Sequence, residues 1–253
     1  MRLLHGVEKS TKYLLRSKSF DFATNYNKKP SEIHSFVWKG HPFYYRTGTS
    51  DTDVIDTILI KPQHRSEYFI KDNNVKTILD IGGNIGTASV FFANLYPDAN
   101  IYTFEPMPNN FKLLEKNVAG YPKVNPYNVA LGNKSYQTSI YHSPEEDCKG
   151  SFSLLTPNKS GCHTDIQVKS VAEFIAENEI DNIDIIKIDT EGAEYDILAA
   201  IPPQILSKTK WIIGELHNYK NWELLNLLEK DFHIGVDKGV DCSLAIFTAH
   251  IKS

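Results

Sequence analysis

Two short stretches of this sequence hold residues that can do chemistry. The first, ILDIGGNIG, is an apolar run that ends on Asp80 and enters a glycine-rich turn with the pattern Asp80-x-Gly82-x-Asn84-x-Gly86, Gly83 lying between. A dinucleotide fingerprint needs a glycine where Asn84 stands, so that the backbone can approach a pyrophosphate at a helix N-terminus. Asn84 breaks that register, and an acid at Asp80 would repel a diphosphate. An acid and an amide beside a tight turn suit a ligand that carries an ammonium and a carboxylate, with Asp80 balancing the first and turn N–H groups taking the second. The methionine end of S-adenosylmethionine has both groups. Glu105 ends the next apolar run, where an acid in nucleotide-binding α/β folds accepts hydrogen bonds from both ribose hydroxyls. The bland alternative is that Asp80 caps the following helix and the glycines only make a turn.

The second stretch is KIDTEGAEYD, which gathers Lys187, Asp189, Glu191, Glu194 and Asp196 at the end of a run that otherwise reads as buried. Such a cluster is costly unless it has a use. Ligands of open α/β sheets bind outside the carboxyl ends of the strands, so Asp189 and Glu191 are expected to face the crevice shared by Asp80 and Glu105. His217, beside Glu215 in GELHNY, ends the next strand over the same crevice. A carboxylate or imidazole at the crevice can take a proton from a nucleophile, and Asp189, Glu191 and His217 are the candidate bases. Asp189 and Glu191 are also candidates to hold a divalent cation, Mg²⁺ or Mn²⁺, through oxygen ligands. Structural readings stand beside these: Glu194 in a first helical turn suits the dipole alone, Lys187 pairs with a nearby acid, and His217 is a satisfied structural group.

The elements that must position these residues follow from hydrophobic periodicity. KTILDI, NIYTFE, VNPYNVAL, IDIIKID and WIIGEL read as strands, alternating with helical stretches such as GTASVFFANLY, PNNFKLLEKNVAG and SVAEFIAEN, the last opening on a Ser170-x-x-Glu173 capping pattern. FHIGV and SLAIFTAH lie too close together for a helical crossover and are expected to pair antiparallel at one edge. The fold class is therefore α/β: a doubly wound, Rossmann-like, mostly parallel sheet of about seven strands with an antiparallel C-terminal edge hairpin. Residues 1–70 read as an N-terminal extension or lid and residues 71–253 as the Rossmann-like domain. Within the extension, HSFVWKGHPFYYR reads as a hairpin turning at Lys39 and Gly40, while residues 1–30 suit either a docking helix or part of a longer linker. Gly132 to Lys169 reads as a long irregular insertion, loop or hairpin.

Composition sets limits on function. The chain has 253 residues, 41% of them hydrophobic, with 27 basic against 31 acidic side chains, which gives no global field favouring nucleic acid or an anionic membrane. Cys148, Cys162 and Cys242 have neither a zinc spacing nor the even number of a disulfide framework. With charges interrupting every apolar run at the N-terminus and no membrane-length stretch, the expectation is a cytoplasmic, reducing location.

Several separated blocks, ILDIGGNIGTASVFFANLYPDANIYTFEPMPNNFKLLEKNV, NVALGN, IDIIKIDTEGAEYDIL and WIIGELH, resemble the FkbM-type S-adenosylmethionine-dependent methyltransferases from about Arg46 to His217. The resemblance implies that Asp80, Gly82, Gly83 and Asn84 line the methionine end, Glu105 the ribose, and Asn128 and Ala130 the adenine. It further implies methylation of a hydroxyl on a small molecule or glycan, most often a sugar, with no nucleic-acid or membrane partner. Tyr45, Arg46, Ser50, Asp51, Glu67 and Tyr68 match a block that precedes the core in such proteins; they read as a lid or acceptor wall, with Phe43, Tyr44 and Tyr45 available to stack on sugar faces. Two other activities stay open: an NAD- or nucleotide-sugar-binding oxidoreductase, and an RNA 2′-O-methyltransferase.

Overall fold

A computed structural model describes residues 2–142, 162–217, 220–238 and 245–252. The chain begins with helices α1 (Arg2–Ser17) and α2 (Phe20–Asn25) and a hairpin of β1 (Ile33–Trp38) and β2 (His41–Arg46). Lys39 and Gly40 turn the hairpin at φ 50° and 88°, the left-handed pair that matches strand twist. Helix α3 (Asp51–Ile55) runs into a π-helical turn over Asp56–Ile60. There follow β3 (Thr77–Ile81), α4 (Thr87–Leu95), β4 (Asn100–Phe104), α5 (Pro108–Val118), β5 (Val124–Tyr127), β6 (Ala130–Gly132), β7 (Tyr136–His142), β8 (Cys162–Ser170) and α6 (Val171–Glu177). The chain continues through β9 (Ile185–Ile188), α7 (Glu194–Leu198), α8 (Pro203–Leu206), β10 (Trp211–Leu216), α9 (Asn221–Leu228), β11 (Phe232–Lys238) and β12 (Ala245–Ile251).

Seven strands form the main sheet in the order β11-β12-β10-β9-β3-β4-β5. All pairs are parallel except those of β12, which runs antiparallel to both β10 and β11. The expected C-terminal hairpin is present, with β12 tucked inside and β11 left as the edge. From β3 the chain winds outward to β4 and β5 on one side and later to β9 and β10 on the other. The resulting switch point opens a crevice above the carboxyl ends of β3, β4 and β9.

Two expectations change in detail. VNPYNVAL is two strands rather than one: β5 stays in the main sheet, and β6 leaves it to pair with β8 in a three-stranded sheet ordered β6-β8-β7. The insertion from Gly132 to Lys169 is therefore largely strand at its two ends, while residues 143–161, with Cys148, lie outside the described residues, as does Cys242. The capping box at Ser170 is half direct and half relayed. Ser170 Oγ accepts from Glu173 N at 3.3 Å, whereas the Ser170 N–H donates to Ser135 Oγ, which itself donates to Glu173.

Both sheet faces are covered. Side chains alternate along β3 and β9, so Ile78 and Ile185 face one cluster while Leu79, Ile81, Ile186 and Ile188 face the other, with Phe174, Leu224 and Leu228. The first cluster is completed by Tyr13, Phe22, Phe36, Phe43 and Tyr45 from the N-terminal segment. Residues 2–17 thus form a helix, and Tyr13 anchors it, with ring centroids 5.1 Å from Phe22 and 4.9 Å from Tyr26. Asn117 ties this layer to the nucleotide-type turn: its Nδ2 donates to the carbonyls of Tyr44 and Ile85, and its Oδ1 accepts from Tyr44 N. Among the described residues, no helix is long and apolar enough to cross a membrane.

Candidate active site

The turn after β3 is built by close approach. Gly82 has φ +82°, and a Cβ there would lie 1.8 Å from the carbonyl oxygen of Asp189, so the two chemical stretches touch through a position that only glycine fits. At Gly83 a Cβ would meet Thr103 Oγ1 at 2.3 Å. The N–H groups of Gly82 and Gly83 both donate to the Phe104 carbonyl, at 3.1 and 2.8 Å.

Beneath this turn lies Asp80, fully buried and in register with Lys187 across the parallel β3–β9 pair. Both side chains point to the face covered by the N-terminal segment. Lys187 Nζ stands 3.3 Å from Asp80 Oδ1 and donates to the Gly82 carbonyl at 2.5 Å, and Ser89 Oγ donates to Asp80 Oδ2 at 2.5 Å. Burial opposes the charge on Lys187, yet the Asp80 and Asp189 carboxylates hold its pKa above the ordinary value. Asp80 does not line the cleft, and the ammonium it balances is that of Lys187.

The cleft has about 750 Å³ of empty space, part of it open solvent. Gly82, Asn84, Glu105 and Ala130 line it, as do Asp189 and Glu191. Asn84 takes a left-handed conformation (φ 48°); its N–H donates to Glu105 Oε2 at 2.9 Å, and its Oδ1 is buried with no hydrogen-bond partner among the described residues. Glu105 Oε1 accepts from Met107 N at 2.8 Å. Burial pushes the Glu105 carboxyl up to about 7, against the hydrogen bonds from Met107 and Asn84. Met107, Ile140 and Ile166 add an apolar slot beyond Glu105. Ile140 and Ile166 come from β7 and β8 and were missed in the sequence, although the alternation in YQTSIYH and HTDIQVK carries their inward positions. Asn128 is exposed and off the cleft wall, donating to the carbonyls of Glu105 and Pro106 at 2.8 and 3.1 Å.

Asp189 and Glu191 line the cleft, and behind them the surroundings are strongly acidic. His217, its side chain 6% exposed, shares Nδ1 with Glu194 Oε1 at 3.0 Å, and its Nε2 faces Glu215 at 3.1 Å, Asp189 at 3.6 Å and Glu191 at 3.7 Å. Nε2 is buried with no hydrogen-bond partner among the described residues, its contact with Glu215 being an ion pair. Burial works against its charge, but Glu194, Glu215 and Asp189 push the imidazole up to about 10. With no cation among these carboxylates, the protonated ring is the favoured form. Burial pushes Glu191 up to about 7 and raises Asp189 as well, with the Lys187 charge opposing the rise in Asp189. Burial would raise Glu194 too, yet donors from His217, Gly192 and Thr190 hold it below the usual carboxylate range. Its structural reading stands. Glu191 holds φ +56°, a left-handed backbone that is costly for a non-glycine residue and concentrates at functional sites.

The N-terminal block divides. Arg46 and Asp51 form a buried bidentate pair at 2.8 Å, and Phe43 and Tyr45 are core residues 2% and 0% exposed, so they present no face to a sugar. Glu67 lies within electrostatic reach of Asp189 and Glu215, and burial raises its pKa. Tyr68 is buried, with Lys187 Nζ 5.7 Å from its ring centre.

Residues 80–233 match the sequence profile of the methyltransferase FkbM domain. The 2-O-methyltransferase NoeI of Sinorhizobium fredii is 24% identical over 173 residues, covering 63% of this chain and 71% of its own length. The hexuronic acid methyltransferase AglP of Haloferax volcanii is 26% identical over 141 residues, 54% of each chain. A match of 25% identity over 180 residues to the AMB antimetabolite synthetase AmbE of Pseudomonas aeruginosa covers 57% of this chain and only 8% of that much longer protein. Among solved structures, the methyltransferase FkbM from Methylobacillus flagellatus superposes with a TM-score of 0.51 at 16% identity, over 75% of this chain and 48% of its own; at that identity it shows a shared fold.

Proposed function

Because the chain belongs to the FkbM methyltransferase family, we propose that it transfers the methyl group of S-adenosylmethionine to a hydroxyl of a sugar or glycan. The observation that carries this reading is one cleft with two unlike ends joined at Gly82, where the Asp189 carbonyl packs on the turn. At one end, Asn84 Oδ1 is a buried acceptor suited to an ammonium, Glu105 an acceptor for ribose hydroxyls, and Ala130 with Met107, Ile140 and Ile166 a slot for a flat base. Gly82 and Gly83 shape that end; Asp80 and Asn128 hold it from behind. When bound, the donor supplies a sulfonium-activated methyl group.

Asp189 and Glu191 stand at the other end, and Glu191, 34% exposed on the cleft wall, is the general base by position. It would take the acceptor's hydroxyl proton as the oxygen receives the methyl group, the donor leaving as the neutral thioether. Residues 1–70 act as a wall on the acceptor side through Glu67, against a methyltransferase domain of residues 71–253. Carboxylates rather than stacked tyrosines then receive the sugar hydroxyls. The names of two relatives, a 2-O-methyltransferase and a hexuronic acid methyltransferase, support oxygen as the nucleophile and a sugar as the acceptor. The reading also includes a divalent cation at Asp189. A panel assay with radiolabelled methyl donor on glycosides, uronic acids, oligosaccharides, catechols and RNA oligomers tests it. Label in the carbohydrate arm is the expected result, and label confined to RNA or catechol overturns the sugar acceptor.

A further inference from the structure

We propose that Asp189, Glu215 and His217 hold a divalent first-row metal ion, with Mn²⁺ the best chemical match. This deepens the methyl-transfer reading, on which the ion's use rests but its binding does not. One ligand atom from each of the three side chains lies within 4.8 Å of the other two. His217 Nε2 is 3.1 Å from Glu215 Oε2 and 3.6 Å from Asp189 Oδ1. Adjacent ligands held at roughly 2.1 Å from an ion stand about 3.0 to 3.5 Å apart, so small side-chain shifts would bring these atoms around a common centre.

The second, independent observation is the imidazole itself. Its side chain is 6% exposed, and Nε2 is buried, unpartnered by hydrogen bonds and aimed into the carboxylates. Glu194 sets that orientation. Its Oε1 accepts the Nδ1–H of His217 at 3.0 Å and is itself fixed by Thr190 N at 3.0 Å and Gly192 N at 3.1 Å. A carboxylate on Nδ1–H leaves Nε2 as the nitrogen that gives up its proton when an ion binds and turns its lone pair forward, the support that metal-bound histidines receive from their outer shell. Glu191 was paired with Asp189 as a cation ligand on sequence spacing alone; the geometry puts Glu215 in that place and leaves Glu191 free to act as the base.

Two carboxylates with one imidazole select the ion. Mg²⁺ and Ca²⁺ favour all-oxygen sets, whereas imidazole suits the first-row transition metals and carboxylate suits Mn²⁺ among them. Three protein ligands leave positions open, and an acceptor hydroxyl bound there would lose its proton more readily to Glu191.

The test is Mn²⁺ titration of EDTA-dialysed full-length protein, read as free Mn²⁺ by electron paramagnetic resonance, without donor or acceptor. Binding of one ion per chain well below about 1 mM is expected, with Mg²⁺ at equal concentration failing to compete. His217→Ala and Glu215→Gln should each weaken binding by about tenfold or more, and Glu191→Gln by less than about threefold. No Mn²⁺ bound by the wild type at about 1 mM, or binding unmoved by both ligand variants, overturns the proposal. The wild-type titration decides even if a variant fails to fold, and retained S-adenosylmethionine binding identifies a folded one. Mn²⁺ binding without donor binding would keep the site and remove the methyl-transfer reading; donor binding without Mn²⁺ would do the reverse.

Discussion

The two ends of the cleft are built in opposite ways. At the donor end, carboxylates already have partners: Asp80 has Lys187 and Ser89, and Glu105 has the N–H groups of Asn84 and Met107. At the acceptor end, Asp189, Glu191, Glu194 and Glu215 all stand within 3.7 Å of one imidazole, and that imidazole's Nε2 has no hydrogen bond among the described residues. With only Asn84 Oδ1 left open, a surface largely satisfied before its ligand arrives binds at low ordering cost, which suits a donor shared by many reactions. A surface with concentrated, unspent charge is one where protons and cations are handled.

If the donor end is structural underneath, disrupting it should cost stability first. Asp80→Ala leaves Lys187 buried without its carboxylate, and the expected loss is about 3 to 5 kcal/mol in urea unfolding. A variant that unfolds like wild type but loses donor binding would instead make Asp80 a direct ligand.

The acceptor end should respond in rate. Glu191→Gln is expected to lower turnover about 100-fold or more while donor affinity stays within about threefold. Equal losses in both would place Glu191 in donor binding and erase the division between the ends.

The smallest effect sharpens the donor end through pH. A carboxyl held up to about 7 by burial, as Glu105 is, stabilises the fold most below the ordinary carboxyl pKa, and that contribution is lost as pH rises through about 7. Wild type should therefore lose stability across that window relative to Glu105→Gln. Donor affinity should move the other way, rising through about pH 7 as the carboxylate becomes available to the ribose hydroxyls, while Glu105→Gln is flat and weaker by about 1 to 2 kcal/mol. An unchanged pH profile in the variant would remove Glu105 from the ribose site.

The contrast also explains what could be read in the sequence. The strand, turn, helix and distal acid of the donor end are local or nearly so, and the parallel sheet with its reversed last strand follows from periodicity and loop length. Asp80 was read as a ligand for an ammonium because its true partner, Lys187, arrives only through the β3–β9 register. The alternation in HSFVWKGHPFYYR showed that one side of the hairpin is buried, but not that Phe43 and Tyr45 face Phe22 and Phe36 instead of a substrate. VNPYNVAL is uniformly strand-like, and its division follows from β6 pairing with β8, a partner beyond the insertion. His217 was read over the crevice; it stands behind Asp189 and Glu191, which line the cleft, and Glu194, Asp189 and Glu215 meet it from three different elements or loops, a coincidence no spacing encodes.

The central claim is that the finished end of the cleft is made for a sulfonium amino acid nucleoside and not for a dinucleotide. Isothermal calorimetry of the wild-type protein with S-adenosylmethionine, with its demethylated product and with NAD tests this most directly. The account predicts saturable binding of the first two and none of the third. NAD binding of comparable strength, or no heat from the sulfonium donor and its product, would contradict it.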